Sequence, residues 1–120
     1  MKILGIGIDI VEVSRLKQAV RNGGSRFMNR VFSKRELVQL KGRRDPYEGL
    51  AARFAVKEAV VKAFGARRDA PKSLPQIEIL KTRNGVPVVT LPTKNLEVLI
   101  SMSHSKEYAV ASALLLQRVR

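Results

Sequence analysis

The sequence predicts an α+β domain: one strand at the N terminus, helical segments around a long central helix, then antiparallel strands. Three observations carry this. Ile3 to Val13 is rich in β-branched side chains, with Gly5 and Gly7 allowing close backbone approach, as in a buried strand running to about Val11. Leu50 to Gly65, wound at about 100° per residue, is apolar nearly all round, as in a helix buried on more than one side. Asn84-Gly85 lies between two apolar stretches, the pattern of a β-hairpin.

The remaining elements follow in order. From Ser14 the apolar residues Leu16, Ala19 and Val20 share a helical face, which Asn22-Gly23-Gly24 is expected to end. A short turn over Ser25 to Arg30 brings Phe27 and Val31 inward. Ser33 and Glu36 have capping-box spacing, opening a helix to about Lys41 that breaks at Gly42 to Pro46. The central helix begins near Pro46 or Tyr47 and is followed by a basic loop with two prolines, Ala66 to Pro75. Gln76 to Thr82 and Val86 to Leu91 form the hairpin, with Pro87 at an edge or a bulge. Leu96 to Ser103 and Tyr108 to Leu116 pair around His104 to Glu107. At 120 residues, with no repeat or linker, the chain is expected to make a single domain over 1–120.

The balance of 23 Lys+Arg against 10 Asp+Glu, a formal +13, predicts attraction to polyanions: nucleic acid, anionic lipid, a phosphorylated small molecule or an acidic protein. The first 44 residues hold 11 Lys+Arg and three acids, so the first helices present a basic face, either merely solvated or a docking surface for an acidic partner. Without cysteine there is no disulfide, thiolate zinc site or thiol nucleophile. Neither a signal peptide nor a membrane span is visible, so the expected setting is soluble and cytoplasmic.

The residues that could carry chemistry are Asp9, Glu58, Lys62 and His104. Asp9 and Glu58 are carboxylates within apolar runs, where each needs a cation or donors, and one divalent cation would suit both. Glu58 and Lys62 have i, i+4 spacing, which fits a local salt bridge. It equally fits a metal-holding carboxylate beside an ammonium aimed at phosphate. The small residues Ala51, Ala55 and Gly65 are expected to leave room for a ligand. His104 stands at a strand end, either a structural hydrogen-bonder or a functional group. The Ser103-His104-Ser105 spacing is no evidence for a Ser/His/Asp triad, because adjacent strand residues point to opposite faces and Ser103 and His104 would diverge.

Taken together, three stretches in order resemble the holo-acyl-carrier-protein synthase family, the short trimeric type of 4′-phosphopantetheinyl transferase. They are Gly5-Ile-Gly-Ile-Asp9-Ile-Val-Glu-Val-Ser-Arg15, Arg53-Phe-Ala-Val-Lys57-Glu58-Ala-Val-Val-Lys62-Ala-Phe-Gly65 and Ser101-Met-Ser-His104-Ser. The resemblance implies transfer of 4′-phosphopantetheine from coenzyme A to a serine hydroxyl of an acidic apo-acyl carrier protein, with Mg²⁺, in fatty acid biosynthesis. Asp9 and Glu58 would be the metal ligands and Lys62 would neutralise the diphosphate or assist the leaving group. Arg53, Lys62, Gly65, Asn84, Gly85, Pro87 and His104 would contact coenzyme A. Arg15, Arg21 and Arg26 would dock the carrier. A homotrimer with active sites between subunits is also implied, which agrees with the all-round apolar central helix; nucleic acid and membrane are not expected partners. The chain departs from the family's frequent Gly-Thr-Gly with Gly65-Ala66-Arg67-Arg68, so Arg67, Arg68 or Lys72 are expected to substitute as phosphate contacts. The competing reading of the charge is a basic RNA-binding or ribosome-associated module, which leaves Asp9 and Glu58 without a purpose.

Overall fold

The computed structural model describes residues 1–42 and 44–118. Strand β1 (Lys2–Glu12) leads into helix α1 (Val13–Val31), then the short α2 (Lys34–Leu40) and the central α3 (Tyr47–Phe64). A single 3₁₀ turn, Leu74–Gln76, precedes β2 (Glu78–Lys81), β3 (Pro87–Thr90), β4 (Leu96–His104) and β5 (Tyr108–Gln117). The three-stranded antiparallel sheet has the order β1-β5-β4, and β2-β3 is a separate hairpin. The α+β class and the order of elements are those expected.

α3 lies across one face of the sheet, and its sequence explains how closely. Ala51, Ala55, Ala59 and Ala63 repeat at i+4 and are all at least 96 % buried. They face the inner row Ala109, Ala111 and Ala113 of β5 and the two glycines of β1. A Cβ on Gly5 would lie 2.0 Å from the Ala63 carbonyl oxygen, and one on Gly7 1.9 Å from that of Ala59. Helix and strand backbones therefore touch, and no side chain larger than hydrogen fits between them.

The opposite flank of α3, with Val56, Val60 and Phe64, packs with Ile77, Ile79 and Leu96 beneath the hairpin. Nearer its N terminus, Leu50, Ala51 and Ala52 pack with Leu16, Val31 and Phe32. Its all-round apolar character is thus used up within one chain, which corrects the expectation that a helix face would supply the subunit interface. Burial of Ala51 and Ala55 also corrects their reading as space for a ligand: their small size serves contact with the sheet.

Two further expectations change. The Asn22-Gly23-Gly24 stop does interrupt the helix, Gly24 taking non-helical φ 54° and ψ −138°, but a second helical stretch follows at once to Val31, so α1 is two helices joined across a kink. The turn expected over Ser25 to Arg30 is therefore helical. β1 is buried on one face only. Its other face exposes Ile6 (73 %), Ile8 (65 %) and Ile10 (64 %), because nothing among the described residues covers that side of the sheet. Register sets them beside Leu114, Ser112 and Val110 of β5.

The predicted capping box forms: the Ser33 hydroxyl accepts from Glu36 N–H at 3.2 Å, and Glu36 Oε1 accepts from Ser33 N–H at 2.9 Å. Glu36 does more. Its Oε1 also accepts from Lys57 Nζ at 2.6 Å, and Oε2 from Ile79 N–H at 3.1 Å. Lys57, fully buried, donates further to the carbonyls of Leu74 (3.0 Å) and Ile77 (2.7 Å). Gln39 pairs with both N–H and C=O of Lys81. Side chains from α2 and α3 thereby occupy backbone positions along β2, closing an edge that would otherwise be free. The Asn84-Gly85 turn is closed by Thr82 N–H to Val86 O at 3.0 Å, with Gly85 at φ 76° and Pro87 opening β3.

Candidate active site

Alternation along β1 puts Gly5, Gly7 and Asp9 on the face towards α3. The two glycines let the strand run against the helix, so Asp9 arrives beside the last two turns of α3. There Lys62 Nζ donates to Asp9 Oδ1 at 3.0 Å and to the carbonyl of Ile8 at 2.9 Å. The Asp9 side chain is 17 % exposed and that of Lys62 54 %. Lys62 thus turns to the strand, not to Glu58 four residues before it, which overturns the local salt-bridge alternative.

Glu58 lines the same cavity as Asp9. Burial first, and then the charge of Asp9, push its carboxyl above the ordinary carboxylate range, with Lys62 opposing. The cavity encloses about 390 Å³ and has an apolar wall from Leu16, Phe27, Phe54 and Tyr108, with Arg15 at its lining. Two coupled carboxylates and one ammonium at the end of an apolar recess can hold a cation against an anionic group while an aliphatic arm lies along the wall. Among the described residues no three His, Cys, Asp or Glu side chains gather as a metal cluster.

Of the other predicted site residues, Arg15 lines this cavity and the rest lie outside its lining. Arg53 is 3 % exposed and donates to the carbonyl of Ile79 at 2.9 Å. Asn84 and Gly85 are exposed at the hairpin turn, and Gly65 is exposed at the C-cap of α3. Arg67 holds Asp69 through two hydrogen bonds of 2.9 Å, so its charge is already matched, while Arg68 and Lys72 remain exposed. His104 pairs through Nδ1 with Glu48 Oε1 at 2.9 Å. Glu48 precedes Glu58 by ten residues, about 15 Å along the helix axis. Arg15, Arg21 and Arg26 are all exposed on α1.

Sequence reasoning missed Glu48 and the structural load on Glu36 and Lys57. Glu48 carried one signal, an acid in the first turn of a helix, but nothing local joins it to a histidine 56 residues away. Lys57 carries a signal of its own: a lysine among Val56, Ala59 and Val60 must find buried acceptors.

No helix among the described residues is long and apolar enough to cross a membrane. A family model described as the 4′-phosphopantetheinyl transferase superfamily matches residues 5–113. The chain is 42 % identical over 109 residues to the holo-[acyl-carrier-protein] synthase of Thermodesulfovibrio yellowstonii, covering 91 % of this chain and 95 % of the relative. To that of Chlamydia pneumoniae it is 39 % identical over 122 residues, covering 97 % and 99 %. Among solved structures, the holo-(acyl-carrier-protein) synthase of Bacillus anthracis in complex with CoA (3′,5′-ADP) superposes with a TM-score of 0.83 at 36 % identity, covering 98 % of each chain. The Helicobacter pylori holo-[acyl-carrier-protein] synthase in complex with coenzyme A gives 0.79 at 30 % identity, covering 92 % of this chain and 99 % of that one. With the strand–helix carboxylate pair, the apolar recess and a match over almost its whole length, the chain belongs to the 4′-phosphopantetheinyl transferase superfamily, among the holo-[acyl-carrier-protein] synthases.

Proposed function

We propose that this chain, as one catalytic domain over residues 1–120, transfers 4′-phosphopantetheine from coenzyme A to a serine hydroxyl of apo-acyl carrier protein in the cytoplasm. Adenosine 3′,5′-bisphosphate is the second product. The observation that carries the reading is the convergence of Asp9, Glu58 and Lys62 around the recess. An RNA-binding surface has no use for two carboxylates in a cavity, because they repel phosphate.

Asp9 and Glu58 would hold Mg²⁺, which when bound supplies charge neutralisation for the diphosphate. Lys62 keeps two of its three N–H donors on Asp9 and Ile8, leaving the third for a diphosphate oxygen. The wall of Leu16, Phe27 and Phe54 takes the pantetheine arm and excludes water. The attacking serine comes from the carrier, so the chain needs alignment and charge more than a nucleophile of its own. A water held at Glu58 is the route for the serine proton. The test is intact-mass analysis of an apo-carrier after incubation with the protein, coenzyme A and Mg²⁺. Gain of one phosphopantetheine is expected; an unmodified carrier, where a reference synthase works, overturns the reading.

We propose also that the working form is a homotrimer with each site between two subunits. Two observations support it: Arg53, Asn84, Gly85, Pro87 and His104 lie away from the Asp9–Glu58 recess, and the outer sheet face exposes Ile6, Ile8 and Ile10 with Leu99 and Val110. The exposed Arg15, Arg21 and Arg26 of α1 form the docking face for the acidic carrier. Sedimentation at several concentrations is expected to give three chains per particle, and Ile8→Lys to give one chain with transfer lost. A wild-type monomer that transfers normally would sink the proposal.

A further inference from the structure

His104 is the chain's only histidine, and one of its ring nitrogens is already committed. Nδ1 stands 2.9 Å from Glu48 Oε1, with the two side chains 46 % and 37 % exposed. A carboxylate only accepts hydrogen bonds, so Nδ1 must carry the hydrogen. In the neutral ring that leaves Nε2 as the acceptor, the reverse of the tautomer that free histidine prefers. Glu48 is itself well seated, in the first turn of α3, where the helix dipole favours a negative charge. The contact also ties the start of α3 to the end of β4, so the ring is held in orientation as well as in tautomer.

We infer that Glu48 is a positioning residue for coenzyme A: it fixes His104 in the Nδ1–H form and presents Nε2 to the nucleotide. This rests on the coenzyme A contact that the family resemblance implies for His104. The consequence falls on substrate binding and spares the chemical step, because Glu48 acts only through His104 and itself touches no reacting atom. Loss of an orienting partner of this kind is expected to weaken binding by about tenfold.

The single histidine makes the test clean. Nitrogen-15 spectra of the wild-type ring in alkaline buffer are expected to show the Nδ1–H form. Glu48→Ala shifts the ring to Nε2–H, and Glu48→Gln, whose amide oxygen still accepts, restores Nδ1–H. In kinetics, Glu48→Ala is expected to raise KM for coenzyme A about tenfold with kcat changed less than about twofold, and Glu48→Gln to recover most of it. In a His104→Ala background Glu48→Ala adds nothing. An Nε2–H ring in the wild type, or an equal Glu48→Ala effect with and without His104, overturns the positioning role while the nucleotide reading of His104 stands. If His104→Ala leaves KM for coenzyme A unchanged, both fall together.

Discussion

Lys57 and Lys62 stand five residues apart on α3, and each meets a carboxylate under opposite conditions. The Lys57–Glu36 pair is wholly buried and saturated: the ammonium spends its donors on Glu36, Leu74 O and Ile77 O, and the carboxylate accepts from Lys57, Ser33 N–H and Ile79 N–H. Burial pulls Lys57 below its ordinary range while the Glu36 bond opposes it. The Lys62–Asp9 pair is half open, leaves a donor unused, and has a second carboxylate, Glu58, pressing on it from the same cavity. The difference separates structure from function. A saturated pair can accept no ligand without breaking; an unsaturated one beside a like charge is incomplete until something cationic or anionic arrives.

Substitutions should break the two pairs in different currencies. The largest effect on stability is expected for Lys57→Met, which leaves Glu36 buried with its charge unmatched: a loss of about 3–5 kcal/mol in denaturant unfolding. A variant that unfolds like the wild type would remove the pair from the core. Glu58→Gln should reverse the pattern, cutting transfer by about 10²–10³-fold in a carrier-modification assay with fold and assembly intact. Retained transfer would take Glu58 out of the site. Lys62→Met should cost less, about tenfold in kcat, because under the proposed mechanism a metal held by Asp9 and Glu58 would also bring charge to the diphosphate.

The smallest expected effect is on stability at the open pair. Glu58 has a raised carboxyl, so the native state keeps its proton to higher pH than the unfolded chain does. Stability therefore falls as pH rises from the unfolded value through the raised native one, and the decrement is complete above it. Without metal at neutral pH, Glu58→Gln should melt at or slightly above the wild type, by on the order of 1–3 °C. Added Mg²⁺ should raise the wild-type melting temperature and leave the variant's unchanged. A Glu58→Gln protein that melts well below wild type would show the carboxylate to be structural, like Glu36.

Much of this was legible in the chain. The β-branched N-terminal run, the capping box, the central helix and the Asn84-Gly85 turn are local signals, and each formed where expected. Gly5 and Gly7 mark points of close backbone approach in the sequence and are pressed against Ala63 and Ala59 in the fold. Asp9 and Glu58 stood out because a carboxylate in an apolar run needs a partner. By itself, then, the sequence determined the elements, their order and the two acids that line the recess. These depend on neighbours within a few residues, on periodicity and on desolvation cost.

Tertiary structure decided which partners those groups take. Hydropathy marks α3 as buried all round but cannot say by what; the sheet, the hairpin and the early helices cover it, and among the described residues the outer side of β1-β5-β4 is left as an exposed apolar face. Spacing offered Glu58 as the partner of Lys62, yet the strand brings Asp9 and the Ile8 carbonyl within reach and Lys62 turns to them. Glu36 with Lys57, and Glu48 with His104, join residues 21 and 56 positions apart. Such pairings are set by how helices and strands stack, a property of the folded whole that no short window of sequence contains.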